Sequence, residues 1–273
     1  MKLEQEKKQP VEYISFSGIK DWQFCPRYYK ITRIEKLYKF EGNIHTAFGT
    51  AMHWVLESMF LDRPHKDKMD IIHEAQSTFE RVFDEELSKV GLRGDQNDAE
   101  QMREQAAPII EQAIGAVENH FGKDFELIST EEQIDLSLSD EDLSSYDFKG
   151  IVDLTIRTPD GKYHVIDWKT CSWGWNHKKK ADPMVTYQLT YYKHFLAKKH
   201  KIDLNDIETY FILLKRVSKK DHVEIMRVSS GPRKIENAMN LLRLAVSNID
   251  GGNFIKKKTS CRNCAVWKTL CDG

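Results

Sequence analysis

Apolar positions along the chain change their period near residue 122. Before it, Ile44, Phe48, Met52, Val55 and Met59 recur at spacings of three and four, which predicts an amphipathic helix through NIHTAFGTAMHWVLESMF. Upstream, in SFSGIKDWQFCPRYYKITRI, Ser17 offers an N-cap to a helix whose apolar pattern begins with Ile19, Trp22 and Phe24. Two charge-rich helices are expected near 68–90 and 98–121, separated by a Gly/Asp/Asn stretch at 91–98. After that point residues 125–138 alternate, as do 147–157 and 162–170 more loosely, and these read as strands. Asp182 as N-cap and Pro183 at the first helical position start a further helix. Strands over 207–215 and 222–228, a helix from about 231 to 249 and a cysteine-rich loop complete the chain. The pattern predicts an α/β fold, a central mixed β-sheet flanked by helices. It is read as one domain over 1–273, with a mainly helical part at 13–122, an α/β core at 123–250 and a cysteine segment at 251–273.

The 273 residues, 40% of them hydrophobic, suffice for one large domain or two modest ones. There is no run of about 18 apolar residues, and MKLEQEKKQP lacks a signal-peptide pattern, so a soluble cytoplasmic protein without membrane partners is expected, in a bacterium, an archaeon or a phage-infected host. The net charge of −1 conceals an asymmetry. Residues 1–148 hold 17 Lys and Arg against 30 Asp and Glu, whereas residues 149–273 hold 24 against 12. The basic half suggests an anionic partner such as nucleic acid, although attraction between the halves would explain it equally.

Chemistry enters in the most apolar strand, VIDWKTCSW, where Asp167 and Lys169 interrupt a run of β-formers. Buried charges need pairing, a metal or a reaction to justify them. The turn TPDGK, centred on Asp160–Gly161, folds the chain so that residue numbers pairing across the hairpin sum to 320. Asp153 and Asp167 then face each other about 5 Å apart, an opposition that by itself destabilises a sheet. Lys169, two residues beyond Asp167, points to the same face. A buried Asp–Lys salt bridge would account for one acid. Two opposed acids with a lysine favour a site for a hard divalent cation, Mg²⁺ or Mn²⁺.

With Asp153 followed after 13 residues by Asp167–Trp168–Lys169, the chain resembles the PD-(D/E)XK nuclease superfamily, Ile-Val-Asp standing where Pro-Asp is typical. Its RecB-like branch fits further. GTAMH at 49–53 resembles the motif whose helix histidine, here His53, completes the metal site, with Gly49 one turn earlier leaving room for close approach. YQLTY resembles the Q-x-x-x-Y motif, Gln188 and Tyr192 lying on one helix face where they contact DNA or the active site. Glu132 resembles the extra acid one strand earlier and shares parity with Ile134, Leu136 and Leu138, whereas Glu131 points the other way. The resemblance implies a restriction-endonuclease-like fold and a metal-dependent DNA nuclease. His53, Asp153 and Asp167 would hold Mg²⁺ or Mn²⁺, and Lys169 would position the attacking water. The branch suggests an exonuclease preferring single strands or free ends. A structure-specific endonuclease and a non-catalytic nucleic-acid-binding partner that keeps the fold remain the alternatives.

Cys261, Cys264 and Cys271 crowd into CRNCAVWKTLC, a spacing that suits a metal in a reducing compartment, and Cys25 fits as the fourth ligand. Four thiolates accept either zinc or a [4Fe–4S] cluster. The resemblance favours iron–sulfur, since CRISPR-associated exonucleases and AddB-type subunits carry one cysteine before the nuclease core and three after it. Cys171 reads as a lone thiol. Basic runs at 177–180 (including Lys178 and Lys179), 215–216, 219–220 and 256–258 could track a phosphate backbone, and Trp173 and Trp175 could stack on unpaired bases.

Overall fold

The computed structural model describes residues 12–91, 96–141, 143 and 146–271. In chain order the elements are β1 (Glu12–Ser15), α1 (Phe16–Phe24), α2 (Pro26–Tyr29), α3 (Ile44–Asp62), α4 (Lys68–Lys89), α5 (Gln96–Phe121), β2 (Glu126–Ser137), β3 (Tyr146–Arg157), β4 (Tyr163–Cys171), α6 (His177–Ala181), α7 (Pro183–His200), β5 (Ile207–Lys215), β6 (Val223–Arg227) and α8 (Pro232–Asp250). The strands form one mixed sheet in the order β1-β3-β4-β5-β6, with β2 paired to β3. No helix among the described residues is long and apolar enough to cross a membrane.

The chain divides into two compact units. The larger comprises Lys39–Glu132 and Ile151–Ile235. Here β3 and β4 pair antiparallel from Leu154↔Ile166 to Arg157↔Tyr163, the register summing to 320. Gly161, at φ +87°, supplies the left-handed turn residue. From β4 the chain crosses through α6 and α7 to β5, which lies parallel to β4, and then returns antiparallel as β6. Leu154, Ile156, Ile166, Trp168, Tyr210, Ile212 and Leu214 share one face and join the buried stripes of α3, α4 and α5 in a single core. The opposite face carries Val165, Asp167, Phe211 and Leu213, and α7 packs against β4 and β5.

Helix starts follow local chemistry. Asn43 caps α3 through a capping box, its side chain accepting from the Thr46 backbone N–H while Thr46 Oγ1 accepts from the Asn43 N–H. Asp67 caps α4, and Asp182 with Pro183 opens α7 as the sequence predicts. α1 differs, because its cap is Ser15 and not Ser17. Ser15 Oγ accepts from the Gly18 N–H at 3.2 Å, and the Ser17 hydroxyl bonds to Ser15 Oγ.

The smaller unit gathers the described residues up to Tyr38, Gln133–Gly150, and the described residues from Glu236 onward. Within it β1 runs parallel to the first part of β3, from Glu12↔Tyr146 to Ser15↔Lys149. The Tyr146 hydroxyl bonds to Glu12 at 2.8 Å and Asp250 at 2.7 Å, joining the strand pair to the end of α8. Ile31, Val266 and Cys271 form a separate small core bordered by Tyr28, Tyr38 and Cys264.

Because α3 carries His53, its cap matters beyond local stability. Asn43→Ala is expected to lower the unfolding free energy by about 1 kcal/mol. In a urea titration this appears as an earlier midpoint at unchanged slope. An unmoved midpoint would mean that packing alone fixes the start of the helix.

Candidate active site

The β3–β4 ladder ends at Leu154↔Ile166, one pair short of the two aspartates. At that point the Trp168 backbone N–H donates to Asp153 Oδ2 at 2.7 Å, so the carboxylate takes the place of a strand carbonyl. Asp167 is held between the buried Ile166 and Trp168 and is only 1% exposed. Gln188 Nε2 donates to its Oδ1 at 2.6 Å and to the Tyr192 hydroxyl at 3.1 Å, so α7 reaches the strand through the i, i+4 pair. Lys169 Nζ lies 2.5 Å from Asp167 Oδ2. The two charges form a close ion pair. Burial pushes the Asp167 carboxyl well above its ordinary pKa; the Lys169 charge opposes this and Asp153 adds to it.

α3 brings His53 to the other side of Asp153, its Nδ1 3.4 Å from Oδ2. Burial lowers the imidazole pKa, but contact with Asp153 and the nearby charge of Asp167 outweigh it, leaving a net rise. Gly49 is not required for close approach. A Cβ there would meet only Thr170 Oγ1, at an ordinary 3.5 Å.

Strand β2 departs most from the sequence expectation. Glu131 has φ +45°, a left-handed conformation rare outside glycine. Strict alternation therefore breaks at that residue, and Glu131 turns toward His53 and Asp153. One ligand atom from each of the three lies within 4.8 Å of the others. Glu132, the residue that parity favours, faces elsewhere. Its carboxylate bonds to Lys199 and His200, each at 2.6 Å, and to Ser129 at 2.8 Å. The geometry thus brings Glu131, and not Glu132, beside His53 and Asp153. The polar run Ser129–Thr130–Glu131–Glu132 is the sequence signal that alternation fails there. Thr130 Oγ1 donates to Glu57 Oε1 at 3.0 Å and ties the bend to α3, one turn beyond His53.

These groups line a cleft of 480 Å³, with His53, Glu57, Glu131 and Asp153 as its polar wall and Trp54 and Ile151 as its apolar rim. Burial, then repulsion from Asp153 and Glu57, raise the Glu131 pKa against the pull of His53. Crowded carboxylates with an imidazole beside them fit a hard divalent cation. His53, Glu131 and Asp153 could hold it directly.

Other expected contacts separate. Trp175 packs edge-on against Phe211 at 5.2 Å and carries Lys179 over its ring at 4.5 Å, whereas Trp173 is 73% exposed. Lys178 and Lys179 are exposed on α6. Lys215 and Arg216 are engaged internally, Lys215 with Glu224 and Arg216 with Gln105 and Ser172.

All five cysteines are free thiols. Cys25 and Cys271 are buried, and Cys25 Sγ accepts from the Lys257 N–H at 3.3 Å. The Cys264 thiol is pushed up by burial and, with smaller effect, by Cys25, Cys271 and Cys261, which places each of the three within electrostatic reach of Cys264. Cys171 stands outside this group, its thiol raised by burial.

Residues 13–272 match the PD-(D/E)XK nuclease superfamily. The chain belongs to that superfamily. Its acids and lysine stand where the family name puts them, Asp153 on β3 and Asp167-x-Lys169 on β4. Among solved structures, a candidate exonuclease from Eubacterium rectale superposes with a TM-score of 0.59 at 13% identity, covering 99% of this chain and 94% of the other. That likeness concerns the fold. SSO0001 aligns at a TM-score of 0.42 and 12% identity, over 96% of this chain and 87% of its own. No curated protein matches the sequence.

If Glu131 is the acid that completes this PD-(D/E)XK site, Glu131→Gln weakens Mn²⁺ binding roughly ten- to a hundredfold, while Glu132→Gln leaves it within twofold. Calorimetric titration with Mn²⁺ alone distinguishes the two. The opposite ranking would restore the parity assignment.

Proposed function

We propose that the protein is a Mg²⁺- or Mn²⁺-dependent deoxyribonuclease of the RecB-like branch, acting as an exonuclease on single-stranded or free DNA ends. The observation that carries this reading is that His53, Glu131 and Asp153 line one cleft of a PD-(D/E)XK fold, with the Asp167–Lys169 ion pair on the strand after Asp153's. A divalent ion bound there would polarise the scissile phosphate and lower the pKa of a bound water. The protein's own groups do the positioning. The Trp168 N–H aims Asp153, and Gln188, itself backed by Tyr192, fixes Asp167. Lys169, 31% exposed at its side chain, can reach a water or a developing phosphate charge while still paired to Asp167. Exposed Lys178 and Lys179 on α6 and Trp173 at the exit of β4 are proposed to contact the DNA strand.

A [4Fe–4S] cluster on Cys25, Cys261, Cys264 and Cys271 is the second part of the proposal. It is supported by the electrostatic influence of Cys25, Cys261 and Cys271 on Cys264 and by the N–H···S bond from Lys257 to Cys25. The Cys264 thiol is raised mainly by burial, with the other three cysteines adding to the rise, and a bound cation would offset the charge of four thiolates. The cluster would fasten the Cys25 segment to the C-terminal cysteines, a structural role. Anaerobically purified protein should contain roughly four iron atoms and four acid-labile sulfides per chain; one zinc and no sulfide would replace the cluster by a zinc site.

The deciding assay is cleavage of end-labelled single- and double-stranded DNA with Mn²⁺ or Mg²⁺, comparing wild type with Lys169→Ala at equal fold and metal content. Wild-type cleavage that falls at least a hundredfold in the variant is expected, and the label reports end preference and polarity. Equal cleavage by both would reject the site, and no cleavage by either would favour a binding protein that keeps the fold.

A further inference from the structure

Trp54 follows His53 on α3 and borders the same cleft, yet 45% of it is exposed. Ile151, two residues before Asp153 on β3, borders the cleft too and is 47% exposed. Isolated exposed apolar side chains need no explanation. These two differ because they rim a cleft whose wall also includes His53, Glu57, Glu131 and Asp153. Neither carries a group that coordinates a metal ion, and both offer flat or aliphatic surface beside groups that can. The Trp54 ring is supported from the side of α4: the Arg81 guanidinium lies 5.7 Å from its centroid, and Arg81 is itself paired to Glu85 at 2.7 Å. The more exposed Trp173 does not line this cleft.

We propose that Trp54, with Ile151 beside it, forms a subsite for an unpaired nucleobase adjoining the phosphate that a divalent cation at His53, Glu131 and Asp153 would hold. The inference rests on the nuclease reading and gives it a source of strand preference. A base inside a duplex has both faces covered by its neighbours, so only a single-stranded or frayed nucleotide can present a face to an indole. A phosphate at the His53–Glu131–Asp153 cluster leaves its own base within reach of the next side chain on α3. The aromatic surface then recognises any base without hydrogen-bond readout, so sequence preference at this position is weak.

The test separates this subsite from the chemistry. Binding of labelled oligonucleotides is measured with Mn²⁺ in the Lys169→Ala background, with Trp54 intact, changed to Phe or changed to Ala. The probes are a single strand, the same strand carrying one abasic nucleotide at successive positions from the end, and a blunt duplex. Trp54→Ala is expected to weaken single-strand binding roughly tenfold, Trp54→Phe to stay within about threefold, and duplex binding to be unchanged. At one position the abasic probe should lose a similar factor with Trp54 intact and nothing more with Trp54→Ala, the two losses failing to add because they remove the same contact. Additive losses, or equal affinity of Trp54→Ala for the intact strand, would overturn the subsite. If Trp54→Ala does not fold, the subsite stands or falls on an abasic loss at one position that Trp54→Phe partly shares. Cleavage by protein with Lys169 intact is scored separately. Coupling without cleavage supports the subsite and rejects the enzyme, whereas cleavage without coupling rejects the subsite and keeps the enzyme.

Discussion

A carboxylate taken out of water into an apolar strand must be compensated from its surroundings or surrender its charge. At 1% exposure Asp167 meets that requirement from three directions, and much of the larger unit's local geometry follows from them. From its own strand comes Lys169, placed on the same face by the two-residue repeat. From α7 comes Gln188, which is why that helix must start where Asp182 and Pro183 start it. From β3 comes not relief but a second carboxylate, which is tolerable only because Asp153 is bound to the Trp168 N–H and faces His53. The strands separate where the acids meet, and the ladder hydrogen bonds given up there leave backbone and side-chain groups for the site to use.

Partial compensation distinguishes this arrangement from a plain salt bridge. A structural ion pair would have closed every lone pair with aligned donors. Asp167 has a single close cation, Lys169, among the described residues, and Glu131 sits beside Asp153 and Glu57 with His53 opposing their charge. Such unfinished satisfaction is what a cation-binding cluster looks like before the cation is considered, because the ion supplies the charge that the protein withholds.

Much of this was legible in the sequence where the backbone is regular. The helical stripe of α3, the Asp182–Pro183 start and the hairpin register summing to 320 all depend on constant periods, and the structure keeps them. Regularity also marks where reading fails. Parity favoured Glu132 because it assumed an unbroken strand, and one residue at φ +45° turns Glu131 instead toward His53 and Asp153. Ser15 rather than Ser17 caps α1 because either serine satisfies the local rule and only the exact start of the helix decides between them. β1 is four residues long in a polar stretch and is recognisable only through its pairing with β3. Trp54 sits on a helix whose other residues serve the core, and no periodicity tells an aromatic at a cleft rim from one at a core margin.

Glu131 illustrates a cost carried by function. A left-handed backbone on a residue with a side chain is held at an expense of about 1–3 kcal/mol and persists only where the surroundings over-determine it. Glycine would occupy that conformation freely, so selection for stability alone would drift toward it, while selection for the carboxylate opposes the drift. The bend in β2 is therefore a position where folding and chemistry place opposite demands on a single residue. Thermostability screens of this protein would be drawn there, and what they gained in stability they would lose from the cleft.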